Sequence, residues 1–240
     1  MFSMNGNKSS LGMRVAVLAA IGTMMGATAL ASNGLVQDRR VTLAQATAMA
    51  DKAKAQSGIP IVVNELVLKQ LNRFIGTPQG RGFMREALQR MKNYETLVLA
   101  DARRYGVPAE IMAMPLIESG YQNLPESKNP NFSAGIWQFI PSTARHFGLT
   151  VNAHRDDRMN VPILTDAAMR YLSSNNLLFH DWLLAVSAYN MGERAIQDAI
   201  DESGLRDPWE LIRSGYENDK DYLPKFMAAV IIMKNPDSVQ

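Results

Sequence analysis

Between residues 42 and 234 the apolar side chains recur at helical spacing, and no run keeps the two-residue alternation of a strand. Packing helix on helix is then the way left to build a core. The punctuation agrees. Residues 42–57 are alanine-rich and stop at Gly58-Ile59-Pro60, and 64–74 place Val67, Leu68, Leu71 and Phe74 on one face. Residues 76–82, with three glycines and a proline, read as a turn cluster, and 83–105 as one unbroken helix closed by Gly106. Further helices are expected over 108–119, 141–147, 165–174, 182–190 behind the N-cap Asp181, 193–203, 208–213 and 222–234. Only the loops of 121–160 leave room for short β structure. The expected fold is mainly α.

The first 31 residues differ in kind. Lys8 and Arg14 precede an apolar run over 15–31, and Ala29-Leu30-Ala31 offers a small-x-small cleavage site, the layout of a secretory signal peptide. An uncleaved anchor is the other reading, although about seventeen residues diluted by Gly, Thr and Ala lie at the short limit for a span. Export implies the periplasm or cell envelope as destination, with membrane contact only if the leader is retained. These two basic residues account for the whole formal charge of +2; without them the 25 Lys and Arg fall to the number of Asp and Glu, 23. Nucleic-acid binding, which needs a clustered basic surface, is therefore not expected. With no cysteine there is no disulfide framework, and His146, His154 and His180 make no ligand pair at helical spacing, so neither a metal nor a cofactor is expected.

The chemistry points to Glu118. Residues 111–117 before it are all bulky or proline except Ala113, and carboxylates are rarely embedded in such company. If Glu118 is buried, desolvation raises its pKa and suits it to be a general acid near neutral pH; a helix-end glutamate facing water is the plain alternative. Most glycoside hydrolases pair two carboxylates. Glu110 cannot be the partner, being about 12 Å away along a continuous helix, and fits the first helical turn instead. Nothing in the spacing folds Glu126, Asp156 or Asp157 back toward Glu118; Asp156 and Arg158 suit a local ion pair that braces a loop. A lone acid suggests a reaction in which the substrate supplies the nucleophile.

Four blocks, in order, resemble the lytic transglycosylases of the soluble-transglycosylase type (family 1), closest to the membrane-bound type D subgroup. They are Glu118-Ser119-Gly120-Tyr121; Gly135-Ile136-Trp137-Gln138 running into Phe139-Ile140-Pro141-Ser142-Thr143; Ala188-Tyr189-Asn190 with Gly192; and Tyr222-Leu223-Pro224-Lys225. The likeness extends upstream through 72–82 and Tyr94, covering roughly 61–235. It implies a goose-type lysozyme-like catalytic domain over 94–240, preceded by a helical extension over 32–93. It also implies cleavage of the MurNAc–GlcNAc β-1,4 bond of peptidoglycan glycan strands without water, leaving 1,6-anhydromuramic ends. Glu118 would act first as acid and then as base.

The same likeness assigns substrate-side roles. Ser127 would contact the acetamido group or hold the glutamate, and Gln138 would bind sugar or orient the site. Tyr189 would place its hydroxyl near Glu118, Asn190 would fix the following turn, and Trp137 would either stack on a sugar or lie in the core. Two positions depart from the pattern: Asn218 stands where a glutamate is usual four residues before Tyr222, with Glu217 beside it, and Arg194 replaces a glycine. These departures keep two further readings open, a water-using goose-type lysozyme and a non-cleaving wall-binding protein of an envelope complex.

Overall fold

A computed structural model describes residues 39–240 except 56, 128–130 and 218; the leader and Asn218 lie outside the described residues. Among these, eleven α-helices run in chain order: α1 (Leu43–Lys54), α2 (Glu65–Ile75), α3 (Pro78–Met91), α4 (Glu95–Arg104), α5 (Ala113–Glu118), α6 (Pro141–His146), α7 (Val161–Phe179), α8 (Trp182–Met191), α9 (Glu193–Ser203), α10 (Pro208–Ser214) and α11 (Tyr222–Met233). The described residues contain no strand; the loops of 121–160 contribute only two isolated bridges, Ala134 to Phe139 and Val151 to Asp156. None of their helices is long and apolar enough to cross a membrane.

α11 is the centre. Ten of its twelve residues are buried, so it is apolar all round and must be enclosed by other helices. α1, α2, α5 and α8 pack on it, and one continuous hydrophobic core runs from Ala46 to Val239. The helices before residue 94 thus share a single core with those after it. A smaller cluster formed by Phe179, Leu184, Ile196 and Leu211 seals α8, α9 and α10 together.

Local chemistry sets most boundaries. Thr42 and Gln45 form a capping box at α1, Asn64 caps α2, Asp181 caps α8 through two backbone N–H groups, and Gly204 closes α9 in a left-handed conformation.

Several boundaries differ from expectation, among them α7, which runs over Val161–Phe179 rather than 165–174. The glycines at 80 and 82 sit inside α3, which starts at Pro78 under the N-cap Thr77. Gly80 is needed for close packing rather than for a turn, because a Cβ there would meet the carbonyl oxygens of Arg73 and Phe74 in α2. Residues 83–105 also break, between Met91 and Glu95, although no Gly or Pro is present. Tertiary packing decides that break: the Tyr94 ring stacks on Tyr121 with centroids 5.9 Å apart. The segment 108–119 likewise divides into a 3-10 turn over Ala109–Met112 and α5, which puts Pro115 in the first turn of α5, where it needs no backbone donor.

Candidate active site

Glu118 is the last residue of α5 and is 9% exposed. The chain turns sharply after it, with Gly120 and Tyr121 both at positive φ, +59° and +58°. A tyrosine seldom adopts that conformation. Here its hydroxyl donates to the Met112 carbonyl at 2.8 Å and its ring is held by Tyr94. The Ser119 hydroxyl donates to the Ile136 carbonyl at 2.8 Å, which ties the end of α5 to the turn carrying Trp137 and Gln138.

The partner of Glu118 comes from α11. The Tyr222 hydroxyl donates to Glu118 Oε1 at 2.6 Å, across 104 positions of sequence. Among the described residues no other hydrogen bond engages the carboxyl, so Oε2 is available to carry a proton. Burial pushes the Glu118 pKa up to about 7, against the Tyr222 hydrogen bond and the Lys225 charge, which pull it down; Asp219 adds a smaller upward push. The acid is therefore half protonated near neutrality, with a donor already in place for its carboxylate form.

Tyr189 of α8 is a second tyrosine close to Glu118. Its hydroxyl donates to the Trp137 carbonyl at 2.6 Å rather than to Glu118, although the two groups are close enough for the Glu118 charge to help raise the Tyr189 pKa. Trp137 is fully buried and its indole N–H donates to Thr165 Oγ1 of α7 at 3.0 Å. No face of that ring is open to a sugar, so the sugar-stacking role is withdrawn and the core role stands. Asn190 is 2% exposed, and its amide reaches the loop before α11, donating to Asp219 Oδ2 at 3.1 Å, instead of fixing the turn after it.

Ser127 and Gln138 meet through Ser133, a residue that the sequence did not single out. Ser133 Oγ donates to Gln138 Oε1 at 2.8 Å and lies 3.4 Å from Ser127 Oγ, while the Ser127 N–H donates to the Ser133 carbonyl at 2.9 Å. Gln138, itself at φ +51°, donates to the Gly135 carbonyl at 2.7 Å. The two stay half-buried on one hydrogen-bonded loop.

That loop is clasped from below by Arg158, whose side chain is fully buried. All five guanidinium N–H groups are used: two on Asp156, one on Glu126 at 2.6 Å, and two on the carbonyls of Phe132 and Phe139. Its ion-pair partners Glu126 and Asp156, with the exposed Phe132, line an open groove of about 570 Å³; Glu118 is not part of that groove's wall.

Asp219 is near enough to act on Glu118, and Glu217 lies beyond Asp219; neither is hydrogen-bonded to Glu118. Asp219 has one oxygen on Asn190 and the other accepting the Asp221 N–H at 3.0 Å. Glu217 is fully buried, with the Ser187 hydroxyl against it but no hydrogen bond in good geometry, and burial raises its pKa to about 8, so it is neutral at pH 7.

Glu217 carries a stability prediction. Its folded midpoint of about 8 lies above the ordinary 4.5, so the folded state binds the proton more tightly. That stabilisation is complete below about pH 4.5 and is lost as pH rises toward 8. Each pH unit between the two midpoints corresponds to about 1.4 kcal/mol. The parent is expected to lose about 2 kcal/mol or more between pH 5 and 8 relative to Glu217→Gln. Urea unfolding of both chains at the two pH values reads this, and parallel losses would show Glu217 to be ionised in the folded protein.

Residues 96–212 match the family model described as the Transglycosylase SLT domain. This stretch, just under half of the chain, is similar to that domain. The match takes in Glu118, Ser127, Gln138, Tyr189 and Asn190, and ends before Tyr222. Over 183 residues the chain is 31% identical to membrane-bound lytic murein transglycosylase D of Escherichia coli strain K12, an alignment that covers 74% of this chain and 38% of that protein. The protein of the same name from Escherichia coli O6:H1 aligns with identical figures. The chain thus spans well under half the length of these relatives. Among solved structures, an inactive mutant of the lytic transglycosylase Slt from Pseudomonas aeruginosa superposes with a TM-score of 0.48 at 17% identity, covering 60% of this chain and 24% of that one. Arg194, the departure that lies within the described residues, is an exposed side chain of α9 facing Asp198 and touches none of the site.

Proposed function

We propose that the chain is a lytic transglycosylase that cleaves the MurNAc–GlcNAc β-1,4 bond of peptidoglycan in the periplasm or cell envelope, leaving 1,6-anhydromuramic ends. The observation that carries this reading is Glu118 itself, buried, half protonated near pH 7 and bonded to one neutral donor, while Asp219 is hydrogen-bonded to Asn190 and the Asp221 N–H and Glu217 is buried and uncharged. Most glycoside hydrolases pair the acid with a second carboxylate that activates water or attacks the sugar. Among the described residues none is placed to do so, which supports a nucleophile supplied by the substrate.

The chemistry then proceeds in two proton transfers. Protonated Glu118 gives its proton to the glycosidic oxygen as the C1–O bond breaks, and the acetamido carbonyl oxygen of the muramic residue bonds to C1. The Glu118 carboxylate, stabilised by the Tyr222 hydroxyl and the nearby Lys225 charge, next takes the proton from the C6 hydroxyl. The C6 oxygen closes on C1, the acetamido oxygen leaves, and Glu118 is protonated again. Burial favours the acid at the start and Tyr222 favours the carboxylate in between, a division of labour that a midpoint near the working pH requires. Ser127 and Gln138, held on one loop, are proposed to contact the sugar's amide and hydroxyl groups. A protein partner within an envelope complex would be a further expectation of the same kind.

The test is the pH profile of soluble fragment release from purified peptidoglycan. Because Glu118 must begin protonated, initial rates should fall as pH rises through about 7. Tyr222→Phe deletes the donor that favours the carboxylate, so the alkaline limb should move to higher pH while the maximal rate drops about 10–100-fold. A profile that does not change in the Phe variant, or an enzyme fully active only above pH 8, would defeat the assignment of Glu118 as the starting acid.

A further inference from the structure

The matched SLT domain begins at residue 96, yet the helices before it reach both members of the Glu118–Tyr222 hydrogen bond. On one side, Arg90 of α3 donates from Nε to the carbonyl of Gly120 at 2.7 Å, two residues after Glu118. The Phe83 ring, two turns earlier on the same face of α3, packs so closely that a Cβ on Gly120 would lie 3.1 Å from it. On the other side, Gln70 of α2 donates from Nε2 to Asp221 Oδ1 at 3.0 Å, and Asp221 is the N-cap of α11, directly before Tyr222. Lys69 Nζ stands 3.9 Å from the same oxygen. α3 packs on α5 and α2 packs on α11, so the two polar contacts sit on rigid helix pairs.

Gln70 gives a second reason to look past packing. It is 1% exposed and its Oε1 has no hydrogen-bond partner, a polar group whose burial detracts from stability. An apolar residue of its size would fill the place better if filling were its task. What Gln70 supplies that leucine could not is the hold on Asp221.

We propose that Arg90 and Gln70 are positioning residues, through which the helical extension sets the separation of Glu118 and Tyr222. This rests on the proposed function for its consequence in catalysis, but the geometric claim stands apart from it. Hydrogen bonds weaken steeply once distance and angle drift, and a misplacement of about 1 Å at a reacting group costs on the order of 10²-fold in rate. A helix pair clamped at the carbonyl after the acid and at the cap before the tyrosine resists that drift. Without the clamp, the donor that favours the carboxylate is lost in part, and Glu118 should hold its proton to higher pH.

The experiment is a set of double-mutant cycles on the full chain. The side-chain carboxyl of Glu118 is followed by carbon NMR through a pH titration, with its signal assigned by its loss in Glu118→Gln. Groups facing Glu118 are Tyr222 and Lys225 of α11, Asp219 of the preceding loop, and Tyr189 of α8. Gln70→Leu and Arg90→Met are each expected to raise the Glu118 midpoint by about half to one pH unit, and to slow fragment release about tenfold through kcat with KM little changed. Arg90→Lys should recover part of the loss, and Gln70→Leu should melt no lower than the parent. In a Tyr222→Phe background neither change should move the midpoint, because the bond they position is gone.

An equal rise in that background would assign the effect to through-space charge or general loosening and overturn the proposal, as would an unmoved midpoint in a folded Gln70→Leu chain. If Arg90→Met does not fold, Gln70→Leu and Arg90→Lys decide the matter. A parent that releases no fragments at all would refute the proposed function, while the titration would still test the positioning.

Discussion

Glu118→Gln is expected to lower fragment release from purified peptidoglycan by about 10²–10⁴-fold at pH 6, the range that a positioned general acid supplies. The substitution keeps the shape of the side chain, and the amide oxygen can still accept from the Tyr222 hydroxyl, so the 2.6 Å contact has no reason to break. The proton that must reach the glycosidic oxygen is removed. Folding should not suffer. An acid buried to 9% exposure with its midpoint raised to about 7 is a charge the fold accommodates at a cost, and the neutral amide relieves it at and above that pH. The expected result is thus an inactive chain with an unchanged or higher melting temperature. Release within tenfold of the parent would take Glu118 out of the chemistry.

The second large effect falls on stability. Arg158→Met is expected to destabilise the chain by about 3 kcal/mol, near the lower end of the 3–5 kcal/mol for breaking a buried ion pair. The lower end applies because the partners are only partly buried, with side-chain exposures of 46% for Glu126 and 27% for Asp156, and can recover some hydration. The Phe132 carbonyl loses its Arg158 donor, while the Phe139 carbonyl keeps the Ala134 N–H at 3.1 Å. For a chain of this size each kcal/mol moves the melting temperature by about 2–4 °C, so a fall of roughly 6–12 °C is expected. Because Arg158 clasps the loop that joins Ser127, Ser133 and Gln138, KM for glycan should rise in the variant more than kcat falls. A melting temperature within 2 °C of the parent would show that the clasp contributes little.

α2, α8 and α9 were legible because Asn64, Asp181 and Gly204 mark their ends without help from distant residues, whereas α7 was read over 165–174 only and runs from Val161 to Phe179. The break before α4 was not legible, since it depends on a ring of Tyr121 arriving from elsewhere in the fold. Glycines 80 and 82 misled for a related reason: sequence shows that a side chain is missing, but not whether a turn or a neighbouring backbone requires the gap. Within the site, the apolar run before Glu118 correctly implied its burial. Which tyrosine would meet it could not be read, because Tyr189 and Tyr222 both sit on buried helices and periodicity does not say which hydroxyl turns toward an acid over 70 or 104 positions away. Trp137 shows the same limit, an aromatic whose direction, inward to Thr165, depends on α7.

In the proposed reaction the substrate, and not water, closes what Glu118 begins. Digestion of purified peptidoglycan in water enriched in oxygen-18, followed by mass analysis of the muropeptides, reads it directly. The expected products are fragments one water lighter than hydrolysis would give, ending in 1,6-anhydromuramic residues and carrying none of the heavy isotope at C1. Reducing ends labelled with oxygen-18 at C1 would contradict this reaction and identify a hydrolase.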